Sequence, residues 1–305
     1  MAHARVLALA AAACLLPVTA DAKPASAWAA AKASLPKDTQ MVVGFDLTQV
    51  RKSSLFTMAM PLVLSQQPDL KSGLDLIKQT CSIDPMKSVE AVVVGTAKDS
   101  GEGAIFIAVK DLDEARIVGC LEAIANKQAL ADQKVIVTKQ GAITELSMGG
   151  DKVYTRWIGK DVLVLPIDVG DKKQLEKWAP VKGAIAKAPV NRGLAKTNTK
   201  AAVWAVTAVE QDIEGKKMKL GFGSLTTASG TLDADLHFVV ASAADAKAIA
   251  DKASQELATM ATGGQASLQT LLAGVTVSSA SDEVLVKATV AEKDLFGALG
   301  ALMTK

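Results

Sequence analysis

The row Asp233, Asp235 and His237 is where this sequence comes nearest to assembling reactive groups. Across Thr231–Val240 the alternation sets Leu232, Ala234, Leu236 and Phe238 on one strand face and the three polar residues on the other, about 7 Å between same-face neighbours. Two carboxylates and an imidazole could ligate a divalent cation, or the acids could raise the pKa of the histidine. That spacing is too long for all three to grip one ion without help from another strand. The favoured reading is the solvated face of a half-exposed antiparallel strand, with no metal and no cofactor. His3 lies in the leader, so a Ser–His–Asp triad would have to use His237, and a His-x-x-x-His zinc site cannot form.

Other constellations are weaker. Ser34-Leu35-Pro36-Lys37 has the Ser-x-x-Lys spacing of a serine–lysine acylase, but Pro36 sits where a helix should align the pair. Gly221-Phe222-Gly223 starts like a dinucleotide loop, yet lacks the third glycine and the helix, and reads as a bend or bulge in a strand. Lys182, Lys187, Arg192, Lys196 and Lys200 form a basic run without an acid, able to touch phosphate groups but better read as a solvated connector. Leu268, Leu271 and Leu272 at helical spacing read as core rather than a lipid groove. No catalytic residue is assigned.

The amino terminus speaks to location. Met1–Arg5 is basic, Val6–Val18 is apolar, and Ala20-Asp21-Ala22 is a small-x-small site, the pattern of a secretory signal peptide over 1–22. The apolar part falls short of the roughly 20 residues of a membrane span. The rival reading is a lipoprotein signal with Cys14 as the modified residue, but the usual Leu three positions earlier is missing. The expected compartment is periplasmic or extracellular. Cys81 and Cys120 are then an even pair in an exported chain, and a disulfide is expected; the competing reading is two buried thiols. Without Cys-x-x-Cys spacing, a redox-active pair is not indicated.

Removing residues 1–22 takes away one base and one acid, so the net charge stays at +2. Neither nucleic acid nor an acidic membrane is implied as a partner. Half the chain is hydrophobic but only 4% is aromatic, ample for a core and poor in the rings that anchor sugars, bases or partner hot spots.

The elements that must position these residues follow from periodicity and punctuation. An Ala-rich segment over 23–35 is stopped by Pro36, and Met41–Leu47 is a strand. Leu55–Gln66 and Asp69–Thr80 are helical. Val89–Thr96 and Ala104–Val109 form a hairpin about Lys98-Asp99-Ser100-Gly101. A helix capped by Asp111 or Asp113 runs to Asn126, with Ile117, Cys120, Leu121 and Ile124 on its core stripe. Lys134–Thr138, Ile143–Trp157 (broken at Gly149-Gly150) and Val162–Ile167 are strands, and Lys172–Trp178 a short helix. Glu210–Lys219, with Asp212 and Glu214, reads as a polar surface loop.

The second half echoes the first. Phe106-Ile107-Ala108-Val109, Asp113 and Ile117 match Phe238-Val239-Val240-Ala241, Asp245 and Ile249 at the same offsets, and Val162-Leu163-Val164 corresponds to Val284-Leu285-Val286. The expected organisation is a signal peptide at 1–22, a first unit at 23–180, a basic connector at 181–200 and a second unit at 201–305. The fold class is α+β, with mostly antiparallel sheets, segregated helices and two related units in tandem.

The exported start, Leu35-Pro36-Lys37-Asp38-Thr39 leading into a strand, Cys81 before Asp84-Pro85 and the duplicated strand–helix units resemble uncharacterised secreted proteins of myxobacterial type. The resemblance implies location and architecture and carries no functional residues. The expectation is an exported, non-catalytic binding or structural component of the cell envelope, whose partner could be an envelope protein. A periplasmic carrier of an apolar ligand is the alternative, and an enzyme without histidine chemistry the third.

Overall fold

The computed structural model describes residues 26–97, 101–127, 135–148, 150–178, 184–213, 215–263 and 266–295. The leader 1–22 with Cys14, the turn residues Lys98-Asp99-Ser100, Gly149, Lys182, Glu214 and the Leu268 side chain lie outside them.

In chain order the elements begin with α1 (Ala27–Ser34), β1 (Met41–Asp46), α2 (Leu47–Val50), α3 (Ser54–Gln66), α4 (Pro68–Cys81) and α5 (Pro85–Ser88). Next come β2 (Val89–Thr96), β3 (Gly103–Val109), α6 (Glu114–Lys127), β4 (Ile136–Gln140), β5 (Ile143–Met148), β6 (Asp151–Ile158), β7 (Val162–Pro166) and α7 (Lys172–Trp178). The remainder holds α8 (Asn191–Leu194), β8 (Val203–Thr207), β9 (Gln211–Ile213), β10 (Lys216–Met218), β11 (Leu220–Ala228), β12 (Thr231–Val239), α9 (Ala243–Gly263), α10 (Ala266–Ala273), β13 (Val275–Ala280) and β14 (Glu283–Ala291). The fold is α+β with antiparallel strand pairing, as the pattern of elements predicts.

The chain forms two compact units, one of residues 1–39 and 60–188, the other of 40–59 and 189–305. This differs from a division in simple sequence order, because β1 pairs with β8 from Met41↔Thr207 to Phe45↔Val203. The pairing places Gly44 opposite Trp204, and a Cβ on Gly44 would lie 2.2 Å from the indole. The missing side chain is what lets the ring, 3% exposed, lie across β1.

In the first unit the hydrogen-bonded strand order is β2-β3-β7-β6-β5-β4. The inner strands β3 and β7 are buried almost throughout and read as unbroken apolar runs, whereas the outer strand β4 is mostly exposed. Ser26 caps α1, its Oγ accepting from the N–H of Ala29 at 3.0 Å, and Pro36 follows two residues after the helix ends. Asp113 caps α6 by accepting from the N–H of Arg116 at 2.9 Å, and Ile117, Cys120, Leu121 and Ile124 are buried on its inner stripe.

In the second unit the order is β13-β14-β12-β11-β8-β1. Val240, Ala246, Ala250 and Val284 form a small core there, with Phe238, Ile249 and Val277 packed against it. Both units send a helix out from the second strand of a hairpin and later return a strand beside it: Phe106 pairs with Val164, and Phe238 with Val284.

Three local readings are corrected. The boundary between the units does fall within 181–200, after Ala188, and Lys187, Arg192, Lys196 and Lys200 are exposed. Residues 184–200 are nevertheless structured rather than a loose connector, with a 3-10 turn at Ile185–Lys187, α8, and buried Ile185, Ala188 and Val190. The 210–219 segment is a two-stranded hairpin, β9 with β10, not a loop; Asp212 accepts from the N–H of Gly215 at 2.6 Å and Met218 is buried. Gly221 and Gly223 sit in a regular strand without a bulge. Gly223 is needed for close approach: a Cβ there would lie 2.4 Å from the carbonyl oxygen of Asp235.

Candidate interaction surface

The polar row on β12 does come together with other groups, but as a structural bracket. His237 stacks on Phe222, its cross-strand partner, with ring centroids 4.6 Å apart and planes 8° from parallel. Its Nε2 lies 3.2 Å from Asp235 and its Nδ1 3.3 Å from Glu283. Asp233 turns elsewhere and accepts from the hydroxyl of Thr289 at 2.7 Å. Glu283, which the sequence pattern does not single out, is the centre of this cluster. Lys196 bonds it directly, and Arg192 lies 3.5 Å from both Asp282 and Glu283. Burial pushes the Glu283 carboxyl up, but the bonds from Lys196 and His237 outweigh it and hold the group below the ordinary glutamate value. Two cations of the basic run are thus occupied by the sheet. Among the described residues no group of three or more His, Cys, Asp or Glu is arranged to hold a metal ion.

Cys81 at the end of α4 and Cys120 on α6 form a disulfide, Cα atoms 5.2 Å apart. The bond joins two helices of the first unit, which pack against each other. Ser34 is buried on α1 while Lys37 stands in solvent, so this pair has no acylase geometry. Leu271 and Leu272 are half-buried.

The unexpected feature is α3. No residue of this helix is buried. Met58, Leu62 and Val63 are 52%, 50% and 42% exposed, and Pro61 joins them on the outward side. Residues 53–68 contain no charged side chain at all, and this uninterrupted stretch is the signal that sequence reading could have used. Isolated exposed apolar residues need no explanation, whereas several together on one helix raise the question of what they meet. At 13 residues, α3 is about 20 Å long.

The start of α3 is held by Glu292, just past β14. Its carboxylate accepts from the hydroxyl of Ser53 at 2.6 Å, the N–H of Ser54 at 2.8 Å and the hydroxyl of Ser54. Burial raises the pKa of Glu292, but these bonds prevail and keep it below the ordinary value. The carboxylate thereby satisfies donors that every helix start leaves open.

Two pockets among the described residues, one of them lined by Glu114, Ile117, Thr144, Leu146, Trp157 and Leu163, offer about 10 Å³ each. That is room for a water, against roughly 300 Å³ or more for a ligand pocket. No helix among the described residues is long and apolar enough to cross a membrane.

No family model matches the chain, and no curated protein matches it. Among solved structures it is similar to the protein TP0453. Crystal form III of that protein aligns with a TM-score of 0.50 at 11% identity, covering 93% of this chain and 100% of the other. Crystal form I aligns at 0.47 with the same identity, covering 93% and 98%. At this identity the likeness concerns the fold alone.

Proposed function

We propose that this is an exported, non-catalytic component of the cell envelope that binds an apolar lipid surface through α3. The observation that carries the reading is the helix itself: 13 residues, no charge, none buried. Protein interfaces are rich in aromatic anchors and carry about one hydrogen bond per 100–200 Å². The outward face of α3 offers Met58, Pro61, Leu62 and Val63 without an exposed aromatic ring, and the hydroxyls of the neighbouring Thr57 and Ser65 are turned to the Ser53 and Leu62 carbonyls of the chain itself. Such a face suits acyl chains better than a specific protein. A helix of about 20 Å is too short for a hydrocarbon core of roughly 30 Å, so it would lie along the boundary.

Export is supported by the leader-like start and by the Cys81–Cys120 bond, which persists in oxidising compartments. The same proposal keeps the two units as tandem copies and retains the resemblance to secreted proteins of myxobacterial type. The carrier reading is less well supported, because the two pockets described above would have to open widely.

The test is flotation of the mature protein with neutral phosphatidylcholine vesicles. Wild type is expected to float, and a Met58→Glu/Leu62→Glu double variant to stay in solution with an unchanged circular dichroism spectrum. Equal flotation of both, or no flotation of wild type beside capture of an envelope protein by α3, would overturn the lipid reading.

A further inference from the structure

We infer that Glu292 is a latch that fixes the first turn of α3 to the sheet of the second unit, and so sets how freely that turn of the apolar helix can open. Ser53, Ser54 and Glu292 all belong to that unit, although 238 residues separate Ser54 from Glu292 in sequence. Glu292 is 2% exposed and among the largest fully buried side chains, an unusual place for a carboxylate unless its oxygens are bonded. Both oxygens are: Oε1 takes the hydroxyl of Ser53, and Oε2 takes the N–H and hydroxyl of Ser54. The latch is itself held, because the N–H of Glu292 donates to the carbonyl of Gly230 at 2.8 Å, in the turn between β11 and β12.

The contrast within α3 gives this contact its consequence. No side chain of the helix is fully buried and only Leu55, Phe56, Ala59, Met60 and Leu64 are half-buried, so its apolar packing is weaker than that of the core strands. The strands that carry Glu292 are by comparison paired along nine consecutive positions, Thr231↔Ala291 to Val239↔Glu283. A strong anchor on a stable sheet therefore grips the end of a weakly packed helix. Releasing it would free the amino-terminal turn of α3 without disturbing the strands. As the control on a lipid-docking helix, this role rests on the function proposed above; as a mechanical latch, it rests on the hydrogen bonds alone.

Hydrogen exchange of full-length mature protein resolves the two. In Glu292→Gln, which keeps the shape but removes the charge, amides of residues 54–58 are expected to exchange at least about tenfold faster, while β11, β12 and β14 keep their protection. Ser54→Ala, which deletes one hydroxyl only, should show the same local pattern more weakly. Unchanged exchange at 54–58 in both variants would overturn the latch, as would a loss spread evenly over the strands. Flotation with phosphatidylcholine vesicles should rise in Glu292→Gln. Faster local exchange with no flotation of either wild type or variant would retain the latch and refute the lipid reading.

Discussion

Glu292 and Glu283 show how a buried carboxylate changes meaning with its partners. Glu292 is held below its ordinary pKa by Ser53, Ser54 and backbone N–H groups despite burial. A group with a depressed folded pKa stabilises the fold fully above its unfolded value, about 4.3, and loses that contribution as the pH falls through the lower folded value. Denaturant melts should therefore show wild type more stable than Glu292→Gln by about 1–3 kcal/mol at neutral pH, with the gap closing below about pH 4. A gap independent of pH would refute this. Glu283 is held instead by Lys196, Arg192 and His237 together, so His237→Ala leaves it still paired. That variant should cost about 0.5–1 kcal/mol, most of it the lost stacking on Phe222. Loss of a bound metal on the same substitution would contradict the structural role given to this row.

At the level of elements, stability depends on close approach and cross-linking. Gly223→Val drives a side chain into the backbone of Asp235 and should separate β11 from β12, costing about 2 kcal/mol or more. A thermal midpoint unchanged by that substitution would contradict the pairing. Opening the Cys81–Cys120 bond by Cys120→Ser should cost about 4 kcal/mol on the chain-entropy model for a 39-residue separation. The elements legible from sequence were those with local causes. Ser26 and Pro36 bound α1, and the stripe Ile117, Cys120, Leu121, Ile124 marks the inner face of α6. The β2–β3 hairpin joins strands adjacent in sequence, with Thr96 opposite Gly103. What periodicity could not supply was long-range pairing. The register of β1 with β8 depends on Gly44 making room for a tryptophan 160 residues later, and neither residue announces the other. The hairpin β9–β10 escaped because its strands are three residues each, too short for alternation to show.

Across the whole molecule, the row that looks most reactive and the surface proposed to bind lipid are different places. The most suggestive polar pattern, Asp233, Asp235 and His237, is absorbed into pairing with Thr289 and Glu283. The surface proposed here is an uncharged helix: its charge-free stretch is visible in the sequence but its exposure is not, because Met58 and Leu62 would look like core residues in any sequence. Because α3 carries no charge, its attachment to lipid should resist salt, unlike electrostatic adsorption, which is screened within about 8 Å at physiological ionic strength. The measurement that bears most directly on this account is flotation of the mature protein with neutral phosphatidylcholine vesicles at low and high salt. Binding that persists at both and is abolished by Met58→Glu/Leu62→Glu is the predicted result. Binding lost with salt, or untouched by the double substitution, would contradict it.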